Sequence, residues 1–279
     1  MKIISLKSGC LYTAIILTML TASRVNAQEG EYTGIFRSTS TGLLNSVESP
    51  VRGELKMIIG HRFGQLNGGL YEFFGLDQAT MRLGFDWGAT DWLGIATGRN
   101  TWEKTYDLSV KAALLRQRVN DFQFAAVILL GGSVNTLRNY YPEEEENLWS
   151  RTAVISQLLL AAKYGRISLQ LSPSFFRNNY DPRAESSVDL FSLPVAGSIG
   201  ITKRMSLTGE YIIIFDKPWF SDVNPLTVGI DIDTGGHQFQ LMFSNSQGLT
   251  PKTVLTNTDN KWRDGYIYFG FNLVRTFYL

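Results

Sequence analysis

The chain is poor in the residues that most often carry chemistry. It has one cysteine, Cys10, and two histidines, His61 and His237. Cys10 lies inside the N-terminal segment that reads as an export signal, so the exported chain has no thiol. It can then form neither a disulfide nor a thiolate metal site, which suits passage through an oxidising compartment where stray thiols mispair. Charge of one sign is also missing: 26 Lys and Arg face 25 Asp and Glu, a net charge of +1. That balance argues against a nucleic-acid partner, which calls for a basic surface. Beyond the N-terminus no apolar run approaches the ~18 residues of a membrane-spanning helix, so helical spans are excluded. No Gly-x-x-x-x-Gly-Lys sequence occurs, and Gly131-Gly132 and Gly235-Gly236 read as strand-end and turn glycines. No cofactor is expected.

What the chain has instead is alternation. Hydrophobic residues make up 44% and aromatics 13% of the sequence, shared out on every second position. Met81, Leu83, Phe85 and Trp87 alternate with Arg82, Gly84 and Asp86, and Leu108, Val110, Ala112 and Leu114 with Asp107, Ser109, Lys111 and Ala113. A period of two is a β-strand whose faces meet different environments. The spacing predicts twelve strands: near 52–62, 81–87, 92–99, 106–117, 122–134, 151–163, 166–176, 187–201, 205–215, 226–233, 238–244 and 266–273. The gaps alternate short (Gly88-Ala89-Thr90-Asp91, Asp233-Thr234-Gly235-Gly236) and long (135–150). Tight turns on one rim and long loops on the other predict an all-β, antiparallel, up-and-down transmembrane barrel over residues 52–279. Short turns are then periplasmic and long loops external. Two strands, 122–134 and 151–163, are apolar on both faces, which calls for a cover inside the barrel. Pro194 falls within a strand and predicts a bulge, because proline removes a ladder bond.

Lys2 and Lys7, the apolar run Leu11–Leu20 and the Val25-Asn26-Ala27 site predict a cleaved signal, residues 1–27, and a mature start at Gln28. An uncleaved N-terminal anchor is the alternative, but the run is short of the ~20 residues a span needs. Residues 28–51 are polar and form no strand of the barrel, so they are either a periplasmic extension or a lumenal segment. Trp87 and Trp92 bracket a short turn, while Trp102, Trp149, Trp219 and Trp262 stand near long loops. Two levels of tryptophan fit membrane-interface girdles. The aromatic C-terminus, Thr276-Phe277-Tyr278-Leu279, resembles the signal by which barrels are recognised for insertion. The expected location is the outer membrane, and the expected partners are the bilayer with its lipopolysaccharide and the insertion machinery.

One stretch is more specific. His61-Arg62-Phe63-Gly64, Gly68-Gly69, Phe73-Phe74-Gly75-Leu76-Asp77-Gln78-Ala79-Thr80, Met81-Arg82-Leu83-Gly84-Phe85-Asp86 and Thr90-Asp91 together resemble a family of Bacteroidota-type outer-membrane β-barrels catalogued as a domain of unknown function. The resemblance implies a barrel in the outer membrane. It implies no catalytic residues.

Candidate chemistry is sparse. His61 and His237 are expected on opposite rims, too far apart to share a metal. His61 with Asp77 is the one pairing that fits a hydrolase, against a plain loop-anchoring bond. Glu143–Glu146 offers oxygen ligands for a cation but lacks calcium-loop order, and a solvated loop tip explains it as well. The remaining candidate is the inward face, which carries Lys56, Arg62, Arg82, Asp86, Asp107, Lys111, Glu210 and Asp231. Eight-stranded barrels are filled by side chains and those of sixteen or more strands hold a channel. Twelve lies between. Inward charges of both signs require either water or mutual pairing. The expectation is a narrow channel for small polar solutes. The alternatives are a closed structural or partner-anchoring barrel and an enzyme using His61.

Overall fold

The computed structural model describes residues 34–118, 123–143 and 147–279. Thirteen strands form one sheet: β1 (Glu54–Gln65), β2 (Ala79–Gly88), β3 (Leu93–Asn100), β4 (Tyr106–Leu115), β5 (Ala125–Val134), β6 (Thr152–Tyr164), β7 (Ile167–Leu171), β8 (Ser174–Asp181), β9 (Ser186–Gly200), β10 (Met205–Phe215), β11 (Leu226–Asp233), β12 (His237–Ser244) and β13 (Tyr268–Tyr278). Every pairing is antiparallel, and β13 pairs with β1 to close the ring. β7 and β8 both pair with β6 and β9, so they are two halves of one crossing. The barrel thus has twelve crossings and no open edge, which removes the unpaired backbone a bilayer would penalise.

Proline shapes the one broken crossing, though not in the way its position in the sequence predicts. The register of β9 on β10 runs unbroken through Ile212↔Pro194, without a bulge at Pro194. The interruption falls on the neighbouring crossing, at Ser172 and Pro173, between β7 and β8. Ser172 N–H donates to Pro194 O at 2.9 Å, but Pro194 has no N–H to return. Ser174 Oγ donates to Ser172 O instead, at 2.6 Å. A side chain thus replaces the missing ladder bond, and the strand does not need to bulge.

The two faces of the wall separate cleanly. Leu83, Phe85, Trp87, Leu108, Leu169, Leu171, Val228 and Phe243 are exposed on the outside. Arg62, Asp86, Lys111, Gln170, Glu210, Asp231 and Gln240 are buried inside. Apolar residues outward and polar residues inward is the arrangement of a membrane barrel, the reverse of a soluble core.

The interior is filled from both ends. From the short-turn rim, residues 34–50 run in and back. Their two arms are joined by a Ser40↔Asn45 bridge and by Thr41 N→Leu44 O and Ser46 N→Thr39 O, both 3.0 Å. Gly42 makes the turn at φ 138°, in the region glycine favours. Ile35, Phe36, Leu43, Leu44 and Val47 of this hairpin share one apolar cluster with Ala125, Val127 and Leu129 of β5 and Ala153, Ile155, Leu159 and Ala161 of β6. That is why the inward faces of β5 and β6 are apolar. From the long-loop rim, the β12–β13 loop folds inward as a short helix, α1 (Pro251–Thr256). Thr250 caps it with a reciprocal Thr253 bond and Pro251 opens its first turn.

Candidate functional site

The hairpin 34–50 is held mostly by polar contacts. Each buried apolar side chain contributes about 1.5–3 kcal/mol, while fixing each residue's backbone costs about 1–2 kcal/mol. Five apolar anchors therefore do not suffice for a segment of this length, and the inward polar residues of the wall supply the remaining grip.

Lys111 on β4 is the central tether. Its ammonium donates to Thr39 O at 2.9 Å, Ser46 O at 2.9 Å and Glu48 O at 3.0 Å. All three ammonium donors are used, and they hold both arms of the hairpin at once. The tip is clamped from two sides, by strands four places apart in the ring. Arg62 on β1 donates to Gly42 O at 3.1 Å, while Glu210 on β10 accepts from Leu43 N at 2.8 Å. Cation meets carbonyl and carboxylate meets N–H, so one guanidinium and one carboxylate satisfy a turn's exposed backbone groups. Thr39 Oγ1 donates to Asp86 at 2.6 Å, Gln170 accepts from Val47 N at 2.9 Å, and Gln240 donates to Ser40 O at 3.1 Å.

Of the eight inward residues read from the sequence, four (Arg62, Asp86, Lys111 and Glu210) bond the hairpin directly. Arg82 and Asp107 pair with each other instead, Nε to Oδ2 at 2.8 Å, high on the wall. Asp231 accepts from Gln240 Nε2 at 3.2 Å, one step removed from the hairpin. Lys56 lies beside Asp86 in the β1–β2 register. The signs are mixed because the wall serves a peptide backbone, which offers donors and acceptors together.

Three groups of contributors were not singled out by the sequence, although the alternation sets most of them on the inward face. Gln170, Gln240 and Asn272 form uncharged links; Asn272 Nδ2 donates to Gln240 Oε1 at 2.9 Å. Gly84 and Gly98 leave the floor on which Arg82 lies, since a Cβ at either would sit 2.4 Å from its guanidinium nitrogens. Glu103 and Lys252 close the long-loop end. Lys252 Nζ on α1 lies 2.6 Å from Glu103 Oε2, and Glu103 also accepts from Asn135 Nδ2 at 3.0 Å and Tyr140 OH at 2.8 Å. Burial and the adjoining Glu103 carboxylate push the Tyr140 phenol above its ordinary range. A cavity of about 110 Å³ remains between the hairpin tip and α1, lined by Arg62, Arg82, Asp107, Leu249 and Lys252 among others. By volume it holds a few waters or one very small solute.

The structure places the other candidates apart from this interior. His61 is on the outward face of β1 and not at its end. Its ring stacks on Phe271 at 5.4 Å and leans on Phe63 at 5.1 Å. Its buried Nδ1 has no hydrogen-bond partner, and its described contacts do not join it to Asp77. His237 opens β12, 3.4 Å from an Arg275 nitrogen. Glu143 is exposed, and the rest of the acidic run, 144–146, lies outside the described residues, as does the expected signal. Among the described residues no cluster of three or more His, Cys, Asp or Glu is placed to hold a metal. Trp87 and Trp92 flank the β2–β3 turn on the short-turn rim. Trp102, Trp149, Trp219 and Trp262 stand on the long-loop rim, where Trp149 and Trp219 are the most exposed of the six.

Comparison with solved structures agrees with this architecture. The NanC porin superposes with a TM-score of 0.52 at 10% identity, covering 81% of this chain and 99% of the porin. The translocator domain of the autotransporter NalP from Neisseria meningitidis gives 0.41 at 10% identity over 98% of each chain. OmpF of Salmonella typhi, in complex with daunomycin, gives 0.41 at 8% identity, covering 80% of this chain and 97% of OmpF. At such identities the first likeness concerns the fold alone, and the other two carry no argument. No curated protein matches this chain. The sequence profile of a membrane-bound β-barrel domain family, DUF5777, matches residues 36–277. Nearly the whole hairpin and barrel fall inside that match, and the chain belongs to the DUF5777 family of membrane-bound β-barrel domains.

Proposed function

We infer that this chain is an outer-membrane barrel kept closed at rest by its own hairpin 34–50, and that small polar solutes cross only when the hairpin is displaced. One observation carries the reading: the Lys111 ammonium holds three carbonyls of the hairpin. A charge-assisted hydrogen bond contributes about 1.5–3 kcal/mol, so loss of this one side chain shifts the balance toward the open lumen. The mixed lining supports a pore of weak charge selectivity once the hairpin has moved. The orientation with short turns in the periplasm places both ends of the hairpin on the periplasmic side.

The test is conductance in planar bilayers. Wild-type protein is expected to be silent or to open rarely. Lys111→Met, which keeps the bulk and removes the donors, is expected to raise the open probability at least tenfold, with unchanged β-sheet circular dichroism. A wild-type protein that conducts steadily, or a folded Lys111→Met protein as silent as wild type, contradicts the reading. The second result favours a permanently closed anchoring barrel, for which the apolar packing of the hairpin on β5 and β6 is the supporting observation.

A further inference from the structure

A second cavity opens on the short-turn rim, beneath the hairpin. It has a volume of about 530 Å³ and its lining includes Arg37, Lys163, Arg166 and Lys203, with Asp233 as the one acid. Two hairpin turns bring three of these cations side by side: Gly200 N donates to Arg166 O at 2.8 Å, which sets the β6–β7 turn against the β9–β10 turn carrying Lys203. The fourth comes from the hairpin. Arg37 Nε donates to Ser206 Oγ at 2.7 Å and one terminal nitrogen to Thr202 O at 3.2 Å. Lys163 Nζ donates to Gly34 O at 2.8 Å. These partners are neutral, and no ion pair joins any of the four cations to a described carboxylate. Asp233 also accepts from Gly235 N at 2.7 Å within its own turn, and the buried Asp231 carboxylate on β11 acts on Arg37, so two acids stand against the four cations.

Four cations against two acids leave the cavity net positive, a potential that draws anions to it. We propose that this vestibule binds a phosphate-bearing anion, which bridges Arg37 of the hairpin to Lys163, Arg166 and Lys203 of the wall. Phosphate fits better than a lone carboxylate. It presents several oxygens to several donors, and guanidinium forks match its geometry. The volume admits more than one phosphate group. A bound anion also staples the base of the hairpin, so binding and hairpin retention favour each other.

The test is calorimetric titration of the full chain in uncharged detergent, at fixed ionic strength, with tripolyphosphate and separately with short-chain phosphatidylglycerol. The first arm reports a soluble phosphate and the second a lipid headgroup. Saturable binding in either arm is expected, weakened at least tenfold by the pair Lys163→Gln and Arg166→Gln. The pair Lys217→Gln and Arg263→Gln, on the opposite rim, should leave it unchanged. Exposed lysine and arginine changes of this kind leave the fold intact, which circular dichroism verifies. The anion is further expected to slow amide exchange at residues 35–37. No saturable binding in either arm, or binding indifferent to the vestibule pair, overturns the proposal whether or not the barrel conducts.

Discussion

Arg82 shows how a single inward side chain is specified. It lies across Gly84 on its own strand and Gly98 on the next, and reaches Asp107, the register partner of Gly98. Its charge was legible in the period-two pattern of β2. The glycines that admit it were not, because small inward residues matter only once register sets them under a long neighbour. Gly98→Ala is expected to displace the guanidinium and strain its pair with Asp107, at about 1–3 kcal/mol. Gly132→Ala meets no atom closer than 3.7 Å and should be nearly neutral. Denaturant unfolding in lipid vesicles compares the two. Equal effects would mean that the Arg82 seat is not what the glycines are for. Glu103 was also illegible: it stands at φ 53° in a tight turn, which no local pattern announces, and its partner Lys252 is 149 residues away.

At the scale of elements, strands are readable and fillers are not. β2, β4, β10 and β11 announce themselves by alternation, because each face meets one medium along its whole length. β5 and β6 break the pattern for a reason that lies outside them. Their inward side chains face the apolar residues of the hairpin, whose own spacing follows no period. α1 escaped notice because six residues with two threonines carry little helical signal. Its closure of the long-loop mouth has a pH signature. The Tyr140 phenol is raised above the usual value near 10. A group that titrates higher when folded contributes stability that is complete below its unfolded pKa and is lost as pH rises from there through the folded pKa. Packing of α1 is therefore expected to weaken above about pH 10. Difference absorbance near the tyrosinate band, wild type against Tyr140→Phe, checks it. A Tyr140 step at the ordinary value would mean that the phenol is not held by Glu103.

For the whole molecule, closure of the ring and filling of its bore are separate matters. Closure follows from twelve crossings, which the sequence shows because lipid outside and polar contacts inside impose opposite chemistry on neighbouring residues. Filling depends on a segment that precedes the barrel strands, which sequence alone left divided between an extension and an occupant. The inward charges would look alike lining water or holding a peptide, and their partners tell the difference. Lys111, Arg62 and Glu210 address backbone groups of residues 39–48. The wall therefore reads the path of the hairpin more than its side chains, and substitutions at its half-buried positions Asn45 and Ser49 should be better tolerated than changes at those three.

Hydrogen–deuterium exchange on the folded protein in lipid tests the occupied interior most directly. The amides of Ile35, Phe36, Leu43 and Val47, which donate to Glu48, Glu210 and Gln170, should exchange as slowly as those of neighbouring strands, and Glu210→Gln should speed the tip more than the base. Exchange of residues 34–50 at the rate of an unstructured peptide, in a barrel whose strands remain protected, would contradict the account.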